Sequence, residues 1–359
     1  MLAERIHQAR LAAGLTLAAM GERVGVSHTA IQKFEKGLLT PSSSQLLKLA
    51  RACGVRTEYF FRTQTITLLH PQFRKTAAFG KVAQEALQIR VVEQIEKRIE
   101  LLDAFPELPL PRFSLPASLP ARTDTVEAVE QLAEAVRNAW QLGMNLVADL
   151  TDTLEGAGLL VISLEEPHSG FCGLSAQAQT GDGRTFPVIV VSRLWPGDRQ
   201  RFTLAHELGH LMLEGRAAAS LDIEKACDRF AGAFLAPRVA VEQRLGTNRK
   251  ALEWPELHAL KHEFGLSMGG WLHRARDCGV ITDATYKTMH QLFTARGWRK
   301  HEPGSPLPEE KPRLFEQLVY RALAEQHISE GKAAGLLGIP MMRFHQERLL
   351  ASPDAAAHQ

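Results

Sequence analysis

Apolar and polar positions divide the chain into four blocks. In residues 1–62 the apolar residues recur at helical spacing over short stretches, which predicts short helices. Thr16 is placed to cap a helix that runs to Val24, and Gly25-Val26 makes a turn. Ser27 then caps a second helix, which ends near Lys36 at Gly37. Residues 76–104 place Phe79, Val82, Ala86, Ile89, Ile95, Ile99 and Leu102 near helical spacing and predict one long amphipathic helix. Its stripe is not a strict heptad, so packing on the body is favoured over a dimer coil. Residues 105–121 hold five prolines and read as an extended connector that sets reach, at roughly 3 Å per residue. Beyond residue 123 the pattern predicts a helix at 126–142 and a strand at 159–164. Glycine-rich turns and a second strand at 186–192 follow, and helices run from Asp198 to the end. No repeat recurs at solenoid periods.

A length of 359 residues suits two or three domains with a proper core. The net charge of +2 is unevenly spread. Residues 1–62 hold nine Lys/Arg against four Asp/Glu, and the remainder holds 33 against 36. A basic module on a near-neutral body predicts an anionic partner for the first block. Cys53, Cys172, Cys227 and Cys278 form no C-x-x-C pair, which argues against a disulfide framework and a cysteine zinc knuckle. No signal peptide or long apolar span is visible, so a cytoplasmic protein without a membrane partner is expected.

Within the first block, the helix after Ser27 exposes His28, Thr29, Gln32 and Lys33 on one side and turns Ile31 and Phe34 inward. Polar side chains at such a helix suit base edges and phosphates in the major groove, with Thr16 and Ser27 at the two helix starts. This block resembles the lambda-repressor-like XRE family of DNA-binding domains over about sixty residues. The resemblance implies double-stranded DNA as partner, an operator-like site and, for a homodimer, an inverted repeat. Leu17 departs from the glutamine frequent in that family at a phosphate contact. A helical interaction module is the alternative.

The stretch "RFTLAHELGHLML", residues 201–213, carries the chemistry. On a helix, positions i and i+4 share a face, so His206 and His210 can meet one metal ion. Glu207 is rotated about 100° from His206, beside the metal, where it can act as general base toward an activated water. The apolar company of Leu204, Leu208, Leu211 and Met212 does not suit a solvated face, and Gly209 suggests another backbone packed close by. Downstream, "IEKACDRFAGAFLAP" offers Glu224 as third ligand, with Asp228 one turn on to orient a ligand histidine. Asp222 is the competing ligand.

Together these stretches resemble the ImmA/IrrE metallopeptidase family over about residues 125–275, with Ser192 where the family usually has asparagine. The resemblance implies Zn2+, an α+β and mostly helical chain, and a gluzincin-like fold with a small twisted sheet against the HExxH helix. It also implies narrow endopeptidase cleavage of a repressor-type protein in stress or induction. Substrate would add to an edge strand at Val188, Ile189, Val190 and Val191. The expected organisation is a helix-turn-helix domain at 1–62, an amphipathic helix and proline-rich linker at 63–122, the peptidase domain at 123–300 and a C-terminal helical region at 301–359. A DNA-binding regulator whose metal domain senses or scaffolds without cleaving is the alternative, and an intact Glu207 favours cleavage.

The group that steadies an oxyanion stays open among His258, His262, His273 and Tyr286. His168 could line the cleft, although a surface loop suits it better. Cys227 could be redox-sensitive beside a metal, although packing suits it better. Residues 320–340 resemble a degenerate helix-turn-helix, equally suited to docking, self-association or a second DNA contact.

Overall fold

A computed structural model describes residues 1–62, 66–76, 79–166 and 170–350. The first unit comprises α1 (Leu2–Ala12), α2 (Leu17–Val24), α3 (His28–Glu35) and α4 (Ser43–Cys53) around Ile6, Met20, Ile31, Phe34 and Leu49. The caps read from sequence form. Thr16 Oγ1 accepts from the Ala19 amide and Ser27 Oγ from the Ala30 amide. Gly25 ends α2 at φ 80°, a conformation that disfavours side chains with a Cβ. Gly21 permits the tight turn, because a Cβ there would lie 2.7 Å from the Val26 carbonyl oxygen.

The next segment departs from expectation. Residues 66–75, within the block expected to hold the amphipathic helix and proline-rich linker, form a strand, β1 (Ile66–Lys75), that the pattern does not mark. Pro71 and the register shift between Leu69 and Gln72 interrupt its alternation, which hides it from pattern reading and suits it to a sheet edge. The long helix follows as α5 (Lys81–Leu102), with Leu87, Val91, Ile95 and Ile99 fully buried. Phe79 lies before its start and Val82 is exposed, so the apolar stripe is narrower than the spacing suggested.

Residues 105–121 form neither helix nor strand. They run over the body, with Phe113 against its core and the Pro111 carbonyl against Gly158. The proline run therefore does not set the reach of the first unit, which joins the body through β1. The first unit also docks on α5, where Glu96, 2% exposed, pairs with Arg5 at 2.7 Å and Arg62 at 3.5 Å.

After α6 (Val126–Ala139) and α7 (Leu150–Gly156) come β2 (Leu160–Leu164), β3 (Phe171–Thr180) and β4 (Thr185–Ser192). The sheet order is β1-β3-β4-β2, with β4 parallel to β2 and antiparallel to β3. Two corrections follow. Residues 171–180 are a strand rather than glycine-rich turns, and β4 is interior rather than an edge. Val188, Ile189, Val190 and Val191 are all 0% exposed, so no peptide can add beside them. Four consecutive apolar residues suit a strand covered on both faces. On one face lies α5, and on the other α8 (Gly197–Leu213).

The helices α9 (Ile223–Leu235), α10 (Arg238–Leu245), α11 (Trp254–Phe264), α12 (Met268–Asp277) and α13 (Asp283–Ala295) complete the α8 side. The last three, α14 (Leu314–Ala324), α15 (Glu330–Leu337) and α16 (Met341–Arg348), pack on the α5 side. The α15–α16 unit repeats the build of α2–α3: two eight-residue helices joined by a left-handed glycine, Gly338 at φ 72°, and one apolar residue, with Pro340 standing where α3 has the capping Ser27. The chain is α+β and mostly helical. Among the described residues no helix is long and apolar enough to cross a membrane.

One buried acid gives this fold a pH dependence. Burial pushes Glu155 up to about 7 from 4.5, against hydrogen bonds from the Leu314 and Arg313 amides and the Arg98 charge. A raised carboxyl contributes stability that is fully present below pH 4.5 and is lost as pH climbs through 7. Glu155→Gln should remove that loss, recovering up to about 3 kcal/mol at pH 8 relative to pH 4.5. Urea unfolding of both proteins across this range checks it; parallel pH curves would refute it.

Candidate metal centre

Helix α8 lies beneath the sheet and is buried along almost its whole length. His206 is 1% exposed, Glu207 0% and His210 9%. Helix α9 crosses it closely at Gly209, where a Cβ would lie 3.3 Å from Cys227 Cα and 3.2 Å from the Phe230 ring. That is the close backbone the sequence suggested for this glycine. Strand β3 is close too, since a Cβ at Gly173 would lie 2.4 Å from Thr203 Cγ2 and 3.1 Å from Glu207 Oε1.

This packing brings the predicted residues together. Glu224 Oε2 lies 3.4 Å from His206 Nε2, and Glu224 Oε1 lies 3.5 Å from His210 Nε2. In a tetrahedral site with bonds of about 2.0–2.1 Å, neighbouring ligand atoms lie about 3.3–3.4 Å apart. His206 Nδ1 is 2.8 Å from Asp228 Oδ1, which leaves Nε2 turned to the site, buried and without a hydrogen-bond partner. Asp222 caps α9 by accepting from the Lys225 amide and pairs with Lys225, so it is occupied elsewhere.

Cys227 competes for the third position. Its sulfur and donor atoms of His206 and His210 all lie within 4.8 Å of one another. Burial pushes its thiol far up, and the carboxylates of Glu224, Glu207 and Asp228 push the same way. Glu224 is the better fit, because its two oxygens lie 3.4 and 3.5 Å from the two imidazole nitrogens, close to the spacing of tetrahedral ligands.

Glu207 is held at one oxygen only. Ser175 on β3 donates to Oε2 at 2.6 Å, while Oε1 is buried without a partner. Burial pushes its carboxyl up to about 8, against the Ser175 hydrogen bond and the Arg74 charge. His210 is pushed down to about 4, chiefly by burial and then by His206 and Arg74. For Asp228 burial acts upward, but the His206 hydrogen bond and Arg74 outweigh it and hold the carboxyl below the usual range.

Two contributors escaped the sequence reading. Ser175 and Arg74 stand on β3 and β1, the strands whose patterns were not legible. Arg74 Nη2 lies 3.1 Å from Asp228 Oδ1, and its guanidinium lies 5.1 Å from the Phe202 ring. His258 and His262 meet edge to face on α11, with His258 against Gly304. His273 and Tyr286 meet at 3.1 Å in a cluster with His290. His168 lies outside the described residues.

At the other end, His28, Thr29, Gln32 and Lys33 are exposed along α3, while Ile31 and Phe34 are buried. Residues 6–60 match the helix-turn-helix family, and residues 165–276 match the IrrE N-terminal-like domain. The chain joins these two domains. It is 28% identical over 102 residues to an "Uncharacterized HTH-type transcriptional regulator y4wC" of Sinorhizobium fredii (strain NBRC 101917 / NGR234), covering 28% of this chain and 68% of that protein. It is 40% identical over 58 residues to an "Uncharacterized transcriptional regulator in ATPase CF(0) region" of Rhodospirillum rubrum, covering 16% of this chain and 54% of that protein. The chain thus spans about half the length of the second relative. No solved structure matches it significantly. The IrrE N-terminal-like match contains α8 and α9, with His206, His210, Glu224 and Cys227.

Proposed function

We propose that the chain is a DNA-binding transcriptional regulator whose IrrE N-terminal-like domain is a narrow-specificity zinc endopeptidase acting on a repressor-type protein. The observation that carries this reading is the free oxygen of Glu207. Its Oε1 is buried and unpartnered, on the residue that follows His206 in α8, and the imidazoles of His206 and His210 face Glu224. Metal binding alone does not require a carboxylate there.

His206, His210 and Glu224 would hold the ion, and Asp228 would fix the His206 tautomer through Nδ1. A zinc ion in that position supplies Lewis-acid activation of water and of the peptide carbonyl. Glu207 Oε1 takes the proton of the attacking water and returns it to the departing amine nitrogen. Ser175 holds Oε2, so the carboxylate keeps one orientation through both transfers. The substrate strand pairs with the free edge of β1, which replaces β4 as the edge that delivers a side chain to the site.

The reading is tested by incubating zinc-loaded wild type and Glu207→Gln with candidate repressor-type helix-turn-helix proteins, this chain included. A discrete cut made only by wild type supports it. A zinc-loaded chain that cuts none of them while still binding DNA would leave a regulator whose metal domain senses or scaffolds.

The DNA side makes its own prediction. Lys33→Ala should weaken binding to all duplexes and lower the salt slope by about one, as loss of a phosphate contact does. Gln32→Ala should change base preference, at about 1–3 kcal/mol for a bidentate contact. Anisotropy titrations over a salt series on a selected site and a scrambled one read both effects. If the full chain binds neither duplex at low salt, the first unit is an interaction module.

A further inference from the structure

Arg74 is the one cation that β1 contributes to the metal centre, and its two terminal nitrogens are treated differently. Nη2 meets Asp228 at 3.1 Å, whereas Nη1 is buried and has no hydrogen-bond partner. The face of Phe202 lies 5.1 Å from the guanidinium and helps fix its plane. Neighbouring carboxylates do not relieve Nη1. Asp228 Oδ1 is shared by His206 and Nη2, Glu207 Oε2 takes the Ser175 proton, and Glu224 faces the imidazoles. Arg74 pairs in register with Gly173, the residue whose missing side chain leaves room beside Glu207 Oε1.

Besides His206 Nε2, which faces the metal position, two buried polar atoms lack partners here, one a donor and one an acceptor. Buried polar groups are almost always satisfied, and a bound ligand is one source of a missing partner. An acceptor for a water proton together with a donor for an oxygen that gains charge is what peptide-bond attack requires. We propose that Arg74 Nη1 binds the carbonyl oxygen of the scissile peptide and stabilises the negative charge that develops on it. This rests on the metallopeptidase reading above. In the step, the water oxygen bonds to the carbonyl carbon and the carbonyl π pair moves onto its oxygen. The water proton passes to Glu207 Oε1, then to the amine nitrogen as the oxygen's pair re-forms the carbonyl and the C–N bond breaks. Arg74 donates a hydrogen bond throughout and transfers nothing. Arginine suits this role because it stays charged at every working pH.

The test uses the full chain loaded with cobalt(II), whose visible spectrum reports ligand binding without turnover. The probes are methylphosphonate, a tetrahedral anion, and 2-mercaptoethanol, which needs only the metal. Wild type should bind both. Arg74→Met should weaken methylphosphonate at least tenfold while holding mercaptoethanol and cobalt affinity within twofold, and Arg74→Lys should fall between. Equal methylphosphonate affinity in wild type and Arg74→Met would overturn the proposal. So would wild type binding mercaptoethanol alone, or Arg74→Met losing cobalt or both probes, which would make Arg74 a support for Asp228. If wild type takes up no cobalt, or binds neither probe once loaded, the metallopeptidase reading itself fails first.

Discussion

Glu207→Gln should keep its metal and lose about 10²–10⁴-fold in cleavage rate, the range over which a positioned general base acts. The amide keeps the size of the side chain and can still accept from Ser175, so the packing of β3 on α8 is undisturbed. What disappears is the proton-accepting oxygen. The ligands should behave in the opposite way. His206→Ala and Glu224→Ala should lose the metal and the cleavage together, whereas Cys227→Ala should retain both. Asp228→Ala should bind metal about 10–100-fold more weakly, as expected when a histidine loses the group that orients it. Metal content by atomic emission, measured beside cleavage, separates these classes. Full occupancy in Glu224→Ala with loss in Cys227→Ala would move the third ligand to the sulfur.

Helix α8 was legible because its chemistry is local. Two histidines four apart share a face in any helix, and the apolar residues around them announce burial. Helix α9 was legible for the same reason, with Glu224 and Asp228 one turn apart and Asp222 at the cap. The strands were harder because their partners are distant in sequence. In β3, Cys172, Gly173, Ser175, Ala176 and Ala178 are small because α8 and α5 press on its two faces, and small residues have weak strand propensity. In β1, Pro71 breaks the alternation that would mark a strand. With both strands unread, β4 seemed to lie at an edge, although its unbroken apolar run already favoured the sheet interior. Arg74 and Ser175 were lost with their strands. No local pattern connects residue 74 to residue 228, since only the pairing of β1 with β3 brings them together.

Glu130→Ala should be the most damaging single change outside the metal centre, costing about 3–5 kcal/mol by removing one partner of a buried ion pair. Glu130 on α6 is 4% exposed and receives three hydrogen bonds: from Arg274 at 2.6 and 3.0 Å and from Arg229 at 2.6 Å. Burial alone would raise its carboxyl, but the Arg274 hydrogen bonds and the charges of Arg274 and Arg229 hold it below the usual range. Without the carboxylate, two guanidiniums stay inside the protein. Arg274, 1% exposed, keeps only the Ala236 carbonyl, and Arg229 keeps Asp277. Arg274 cannot leave easily, since it runs along α9 where Gly232 makes room for it. The damage should reach the metal centre, because Arg229 directly follows Asp228 and anchors the helix that carries Glu224. Glu130→Ala should therefore weaken metal binding as well as lower the urea midpoint. Glu263→Ala, which breaks a surface pair with Arg244, should change stability by no more than about 0.5 kcal/mol. Similar losses for the two variants would mean that the buried network contributes no more than a surface contact and does not hold α9 in place.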